Sequence, residues 1–307
     1  MSVCAKAAVA AQAAEAAGSG GALAMEEAQK AGASAAGQDG PATIPPLSDM
    51  HCHLDFAANG AQLAAQAADA GTPVFANTVT PEGYVSASKE LGLGSARQGG
   101  RTSPSVKLGL GLHPWWVQSA QNSQGAAWNE EALALFESLA PATRYLGEVG
   151  LDFGPRRKAT APEQIQALDR VLAQCQGEKL ISFHASKAED QLLTMLQQHK
   201  VTFHNVCILH WFSGSSNQLW RAIRIGCCFS VNKRMLSTKR GREYAKVMPE
   251  NRLLLETDWP PQEGDFMSFD AWQAELAHTV ELLAAARNCE PAALAETLFQ
   301  NAKRFLC

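Results

Sequence analysis

From residue 47 onward the chain alternates between two periodicities. Short runs of aliphatic and β-branched residues are each followed by a longer stretch whose apolar positions recur at helical spacing. "MHCHLDF" precedes "AQLAAQAADAG", "PVFANTVT" precedes "PEGYVSASKELG", "VKLGLGLHP" precedes "NEEALALFESLA", and "YLGEVGLDF" precedes "APEQIQALDRVLAQC". The rhythm continues with "KLISFHAS" and "AEDQLLTMLQQH", then "VCILHWFS" and "SSNQLWRAIRIG". "CCFSVN" with a short helix near 240–248, and "RLLLETDWP" with "SFDAWQAELAHTVELLAAARN", complete eight units, and a tail at 291–305 reads as a further helix. Eight strand–helix units predict an α/β fold, a (β/α)8 TIM barrel, over residues 47–307. A doubly wound open sheet is the structural rival. It would carry a glycine-rich nucleotide turn after its first strand, and "HCHLDF" is not one.

Residues 1–46 break this pattern. They are Ala/Gly-rich and low in complexity, and they are expected to form a mostly disordered extension with transient helix around residues 5–17 and 22–31. "PATIPP" marks the boundary with the barrel. The early alanines are interrupted by Gln12 and Glu15, which argues against a secretory signal, and the stretch lacks the arginines of a transit peptide.

Composition narrows the class. Apolar residues make up 46% of the 307, enough for a large core. A net charge of −4 and a pI near 6.1 argue against a protein that coats nucleic acid broadly, and leave room for a local basic rim. The eight cysteines form no C-x-x-C pair, and several sit in apolar runs such as "NVCILHW" and "GCCFSV". They read as reduced, buried thiols of a cytoplasmic protein. No apolar run approaches the roughly 18 residues of a membrane span.

Polar residues fall where such a barrel keeps its chemistry, at the C-terminal ends of strands. His51 and His53 stand in strand 1, His113 in strand 3, Glu148 in strand 4, His184 in strand 5, His210 in strand 6 and Asp258 in strand 8. Alternation along strand 1 would point His51, His53 and Asp55 one way, with Cys52 and Leu54 the other. His113 apart, the other six are nitrogen and oxygen ligands at one mouth, able to hold two divalent metals. Unpaired, they would be costly in an apolar barrel. His199, His204 and His278 fall on helices or a loop and read as surface or packing residues.

The series "HCHLDF", "GLHPWW", "GEVGLDF", "FHAS", "LHWFSGS", "LLETDWP" and "NAKRF" resembles the successive signatures of the TatD-type metal-dependent deoxyribonucleases, a branch of the amidohydrolase-like barrels, across residues 48–306. The resemblance implies a two-metal site in which His51, His53 and Asp258 hold one ion, His184 and His210 the second, and Glu148 bridges them. It implies magnesium or manganese, although a shell this rich in imidazole favours manganese or zinc. It also implies trimming of DNA, often from a 3′ end. Glu148 stands where many related barrels carry a modified lysine. Two departures bear on the substrate. The family's arginine after the strand 5 histidine is here Lys187, which keeps the charge but loses the planar fork. Trp259 replaces a residue that is commonly small.

These readings together predict a 3′-end exonuclease acting on single-stranded DNA or DNA ends, monomeric, with no membrane and no obligate protein partner. Glu148 and Asp258 would be catalytic, and Asp258 could accept a proton from the attacking water. His113 is either a substrate or supporting contact, or a structural hydrogen bond before the Pro114 turn. Arg156 and Arg157 in "GPRRK", with Lys233 and Arg234 in "NKRM", would form a basic collar, and Trp116 would stack a base. The same ligands would also serve a hydrolase of small phosphoesters, amides or lactones. A barrel kept only as a scaffold would not need them.

Overall fold

The computed structural model describes residues 46–93, 105–121 and 123–306. The extension assigned to residues 1–46 therefore lies, but for its last residue, outside the described residues. Eight parallel strands pair in chain order: β1 (Asp49–Cys52), β2 (Val74–Asn77), β3 (Val106–Leu112), β4 (Tyr145–Asp152), β5 (Leu180–Ser186), β6 (Val206–His210), β7 (Cys228–Val231) and β8 (Leu253–Leu255). The helices between and after them are α1 (Gly60–Asp69), α2 (Pro81–Glu90), α3 (Ser123–Leu139), α4 (Ala161–Ala173) and α5 (Glu189–Gln198). They continue with α6 (Ser216–Arg224), α7 (Lys233–Ser237), α8 (Lys239–Val247), α9 (Phe269–Arg287) and α10 (Pro291–Leu306). The result is a nearly closed (β/α)8 barrel.

Local chemistry starts several of these helices. The Thr80 hydroxyl accepts from Gly83 N at 3.0 Å, and Pro81 opens α2 where its missing N–H costs nothing. Ser215 and Gln218 form a reciprocal capping box at the start of α6. The single short helix expected near 240–248 is α8, and α7 precedes it.

The barrel interior is graded from apolar to polar. Side chains two apart share a face, so β5 sends Leu180, Ser182 and His184 inward, β7 sends Cys228 and Ser230, and β8 sends Leu254. The lowest layer, with Met50, Phe75, Leu180, Ile208, Cys228 and Leu254, is one apolar cluster closed from below by Ala302, Phe305 and Leu306 of α10. Tyr145 fastens that plug by donating its hydroxyl to Leu306 O at 2.9 Å. The outward faces of the strands pack under the helices as a second, larger apolar cluster. All polarity is thereby forced toward the upper mouth.

The seam between the last and first strands is closed at that mouth. Asp258 N donates to His51 O at 2.9 Å, and His53 N donates to Trp259 O at 2.7 Å. Asp49, fully buried in β1, accepts from His51 N (3.1 Å), Thr257 N (3.2 Å), Thr257 Oγ1 (2.5 Å) and the Trp272 indole of α9 (2.7 Å). Both strands end sooner than the apolar runs suggest. β1 stops at Cys52, so the alternation that would place Asp55 beside His51 and His53 does not extend that far, and Asp55 lies in a turn. Beyond β8, Asp258 takes a left-handed conformation (φ 58°), which aspartate tolerates better than most residues.

Candidate functional site

Glu148 is the hub of the mouth. Its Oε2 lies 3.3 Å from His51 Nε2 and 3.4 Å from His53 Nε2. Its Oε1 lies 2.9 Å from His184 Nδ1, 2.9 Å from His210 Nε2 and 3.2 Å from His113 Nε2. Asp258 Oδ1 stands 3.5 Å from His53 Nε2 and 3.8 Å from His51 Nε2. All seven side chains are buried. Strand register permits this crowding. Gly150 pairs with His184 across β4 and β5, and a Cβ there would collide with His184 O.

Backbone and hydroxyl partners set the rings. His53 Nδ1 lies 3.0 Å from Asn77 O, an atom that can only accept, so Nδ1 carries a proton and Nε2 faces the carboxylates. His51 Nδ1 is held by Ser182 Oγ at 2.6 Å. Trp115 N donates to His113 Nδ1 at 3.1 Å, which leaves the His113 proton on Nε2, aimed at Glu148 Oε1. Burial lowers His113 to about 4, so this ring is a neutral donor that orients Glu148. Glu256 sits beneath His210: it accepts from Ser230 Oγ and from Asn232 Nδ2 (2.7 Å), with Oε1 at 3.8 Å from His210 Nδ1.

The site calls for positive charge. Burial opposes ionisation of Glu148, yet His113, His210 and His51 outweigh it and hold the carboxyl well below its usual range. Burial likewise opposes a charge on His53, but Asp258 and Glu148 push it up to about 10. Burial lowers His51, and His210 beside it adds to the effect. Three buried ring nitrogens make no close hydrogen bond: His51 Nε2, which faces Glu148, and His184 Nε2 and His210 Nδ1, which face Asp152 at 3.5 Å and Glu256 at 3.8 Å. Ligand atoms of His51, His53 and Glu148 lie within 4.8 Å of one another, as do those of His51, His210 and Asp258, and of His113, Glu148 and His184. Imidazole nitrogens and carboxylate oxygens facing one another at such distances are a set that divalent cations fit. In the third group the Nε2 proton makes His113 a donor to Glu148, leaving His184 and Glu148 as ligands.

Sequence reading passed over Asp152. Its Oδ2 accepts from the Trp115 indole at 2.5 Å and lies 3.5 Å from His184 Nε2. Its Oδ1 accepts from Gly154 N at 2.7 Å. The signal was present in "GEVGLDF", where Asp152 ends a strand four residues beyond Glu148. Trp115, rather than Trp116, is the tryptophan tied into this array, and the Arg157 guanidinium covers its ring at 4.7 Å. Trp116 is half-buried, edge-on to His113 at 5.6 Å.

Arg156, Arg157 and Lys187 line a pocket of about 140 Å³ with Trp115, Asp152 and Ser186. Lys187 is exposed and left-handed (φ 55°). On the other side of the mouth, Lys233 is paired with Glu275 at 3.1 Å and Arg234 lies over Trp211 at 5.7 Å. Trp259 is partly buried against the core. His199 is engaged on the outer surface with Asp169 at 2.8 Å, away from the cluster.

Residues 48–307 match the sequence profile of the "TatD related DNase" family. A 3′-5′ ssDNA/RNA exonuclease TatD from Erwinia billingiae is 27% identical over 208 residues, 62% of this chain and 76% of that protein. The human deoxyribonuclease TATDN3 is 25% identical over 223 residues, 70% of this chain and 78% of that protein. Among solved structures, a TatD homologue from Escherichia coli K12, YjjV, superposes with a TM-score of 0.59 at 21% identity, covering 84% of this chain and 97% of that one. A TatD-family hydrolase from Entamoeba histolytica gives 0.61 at 15% identity, covering 85% and 98%. At these identities the structural likenesses speak for the fold.

Proposed function

This chain belongs to the TatD related DNase family, and from that membership and the geometry of its mouth we propose a metal-dependent deoxyribonuclease that trims single-stranded DNA from a 3′ end. The observation that carries the reading is the division of histidines between the two oxygens of Glu148. One ion would be held by His51, His53 and Asp258, a second by His184 and His210, with Glu148 shared. The donor set favours manganese or zinc over magnesium on ligand softness. Bound ions supply an activated water and neutralise charge on the phosphoryl oxygens.

The protein's own residues do the rest. His113 keeps its proton on Nε2 and fixes the Glu148 carboxylate. Asp258 Oδ1 accepts the proton released by the attacking water. Arg156, Arg157 and Lys187, around a pocket beside His184, hold a phosphate next to the scissile one, and Trp115 or Trp116 faces a base. We assign residues 47–307 to this catalytic barrel, a monomer, and residues 1–46 to an extension. No helix among the described residues is long and apolar enough to cross a membrane. Five buried, unpaired cysteines, Cys52, Cys175, Cys207, Cys227 and Cys228, support a reducing compartment such as the cytoplasm.

The test is to strip the protein with chelator, measure metal content, and assay 3′-labelled and 5′-labelled single-stranded DNA with Mg²⁺, Mn²⁺ or Zn²⁺ restored. A Glu148→Ala, Asp258→Ala variant runs beside it. Metal-restored cleavage lost in the variant is expected, and the labels give the direction. Metal binding without cleavage of any oligonucleotide would move the activity to small phosphoesters or amides.

A further inference from the structure

The rim of this barrel is divided by charge. The chain after β4 and β5 brings Arg156, Arg157, Lys158 and Lys187 to the mouth. The chain after β7 adds Arg234, Lys239 and Arg240. The connections after β1 and β8, residues 53–59 and 256–268, contain no lysine or arginine and carry Asp55, Glu263 and Asp265. That acidic lip is fixed in place. Gly264 N donates to Phe56 O at 2.7 Å, Ala58 N donates to Asp265 O at 2.9 Å, and the Asn59 side chain bonds Met267 O and N at 2.7 and 3.2 Å.

The opposite half extends outward along α7 and α8. Arg234 covers Trp211, the residue that follows His210. α7 has five residues, so it spans only about 7.5 Å at the usual helical rise. α8 then leans on the connection after β6, where Tyr244 donates its hydroxyl to Gly214 O at 3.0 Å. α8 begins at Lys239, with only Thr238 between it and α7, which itself starts two residues after β7, so its start stays near the β7 side of the mouth. Lys239 and Arg240 are exposed there, and neither makes an ion pair within 4.0 Å among the described residues; the carboxylate nearest in sequence, Glu243, is bonded to Lys246 at 2.7 Å and feels Lys239 only at longer range. Cations placed beyond the metal cluster would add affinity for an anion long enough to reach them, each neutralised phosphate releasing counterions.

We propose that a single-stranded polynucleotide crosses this mouth on one side: its backbone passes over the β4 and β5 connections, crosses the cluster and continues onto the start of α8. There Lys239 and Arg240 hold phosphates beyond the scissile one, while Glu263 and Asp265 keep the backbone off the β8–β1 lip. The proposal rests on the nuclease reading and adds to it a path and a dependence on substrate length.

The full chain loaded with Mn²⁺ is compared with its Lys239→Glu, Arg240→Glu variant on single-stranded oligodeoxynucleotides of about 3 and about 12 nucleotides. KM for the longer substrate rises roughly tenfold, and the slope of its logarithm against log salt falls by about 1.4, two lost contacts at ~0.7 each. The short substrate is cleaved as before. A Lys239→Ala, Arg240→Ala variant shows the same length selectivity with smaller amplitude, which separates contact from repulsion. Equal effects on both lengths, or none on either, overturn the path. A Glu263→Gln, Asp265→Asn variant that lowers KM more than the α8 variant raises it would place the strand on the other side and also overturn it. If the unchanged chain cleaves neither oligonucleotide, the nuclease reading and the path fall together; if it cleaves both and the variants match it, only the path falls.

Discussion

Trp115 donates its indole N–H to Asp152 Oδ2 at 2.5 Å, and through that carboxylate it reaches the ring of His184. A carboxylate behind a metal-binding imidazole fixes its orientation and raises its basicity, and loss of such a partner typically costs about 10–100-fold in metal affinity or activity. Trp115→Phe keeps the ring and removes the donor. It should leave the fold intact and weaken metal binding at the His184 side, read by competition with a chelating dye. Unchanged affinity in both Trp115→Phe and Asp152→Asn would make this array purely structural.

Asp152 also predicts a pH dependence. Burial works against its charge, yet the nearby His184 ring and bonds from Trp115 and Gly154 outweigh burial and hold it below the ordinary aspartate range. A carboxylate lowered in the folded state adds stability that is present above its unfolded pKa, about 3.8, and is lost as pH falls further. Metal-free protein should therefore lose unfolding free energy below about pH 4, and Asp152→Asn should flatten that acid limb. Parallel acid limbs in the two proteins would contradict the assignment.

Adding metal should stabilise the chain directly. A ligand present at about 100 times its Kd contributes about 2.7 kcal/mol, equivalent to a rise in Tm of roughly 5–10 °C for a domain this size. Manganese and zinc should act at lower concentrations than magnesium. The shift should vanish with chelator and shrink sharply in Glu148→Gln. A full shift in that variant would remove Glu148 from the ligand set.

Asp49 holds the seam of the barrel. Asp49→Ala leaves the Trp272 indole, the Thr257 hydroxyl and two backbone N–H groups without their acceptor in a dry interior. The expected loss is about 1–3 kcal/mol for each buried donor left without an acceptor, measured by urea unfolding. A loss under about 1 kcal/mol would mean that water or a rearranged side chain replaces the carboxylate.

Lys187 offers a trade between stability and binding. Its left-handed backbone costs a non-glycine residue about 1 kcal/mol. Lys187→Gly should relieve that cost and yet raise KM for an oligonucleotide several-fold. A variant that gains stability with KM unchanged would take Lys187 out of phosphate binding.

The fold was legible because each unit carries both periodicities in full. The strand runs and the helices after them recur with enough regularity that the barrel follows from counting. The gathering of polar side chains at one mouth was legible for a related reason: His184 and His210 stand at or near the ends of apolar runs, where a polar residue is conspicuous. What escaped was whatever depends on approach between distant strands. Asp49 looks like an ordinary strand-edge aspartate until Thr257 and Trp272 close around it. Asp152 and Glu256 each lie within four residues of a more obvious carboxylate and were hidden by it. The apolar run of strand 1 extended alternation to Asp55, but the chain turns after His53, with Phe56 N donating to His53 O and Ala57 N to Leu54 O.

The closing of the seam through Asp258 and His53 has a consequence for biosynthesis. The first ligand is residue 51 and the last is residue 258, and the aspartate under the first must wait for Trp272 in the penultimate helix. A chain cut short before α9 carries all the histidines and carboxylates of the mouth but not Trp272, and so lacks one of the bonds that hold Asp49 under the seam. Residues far apart in the chain thus finish the wall of the barrel and its mouth together.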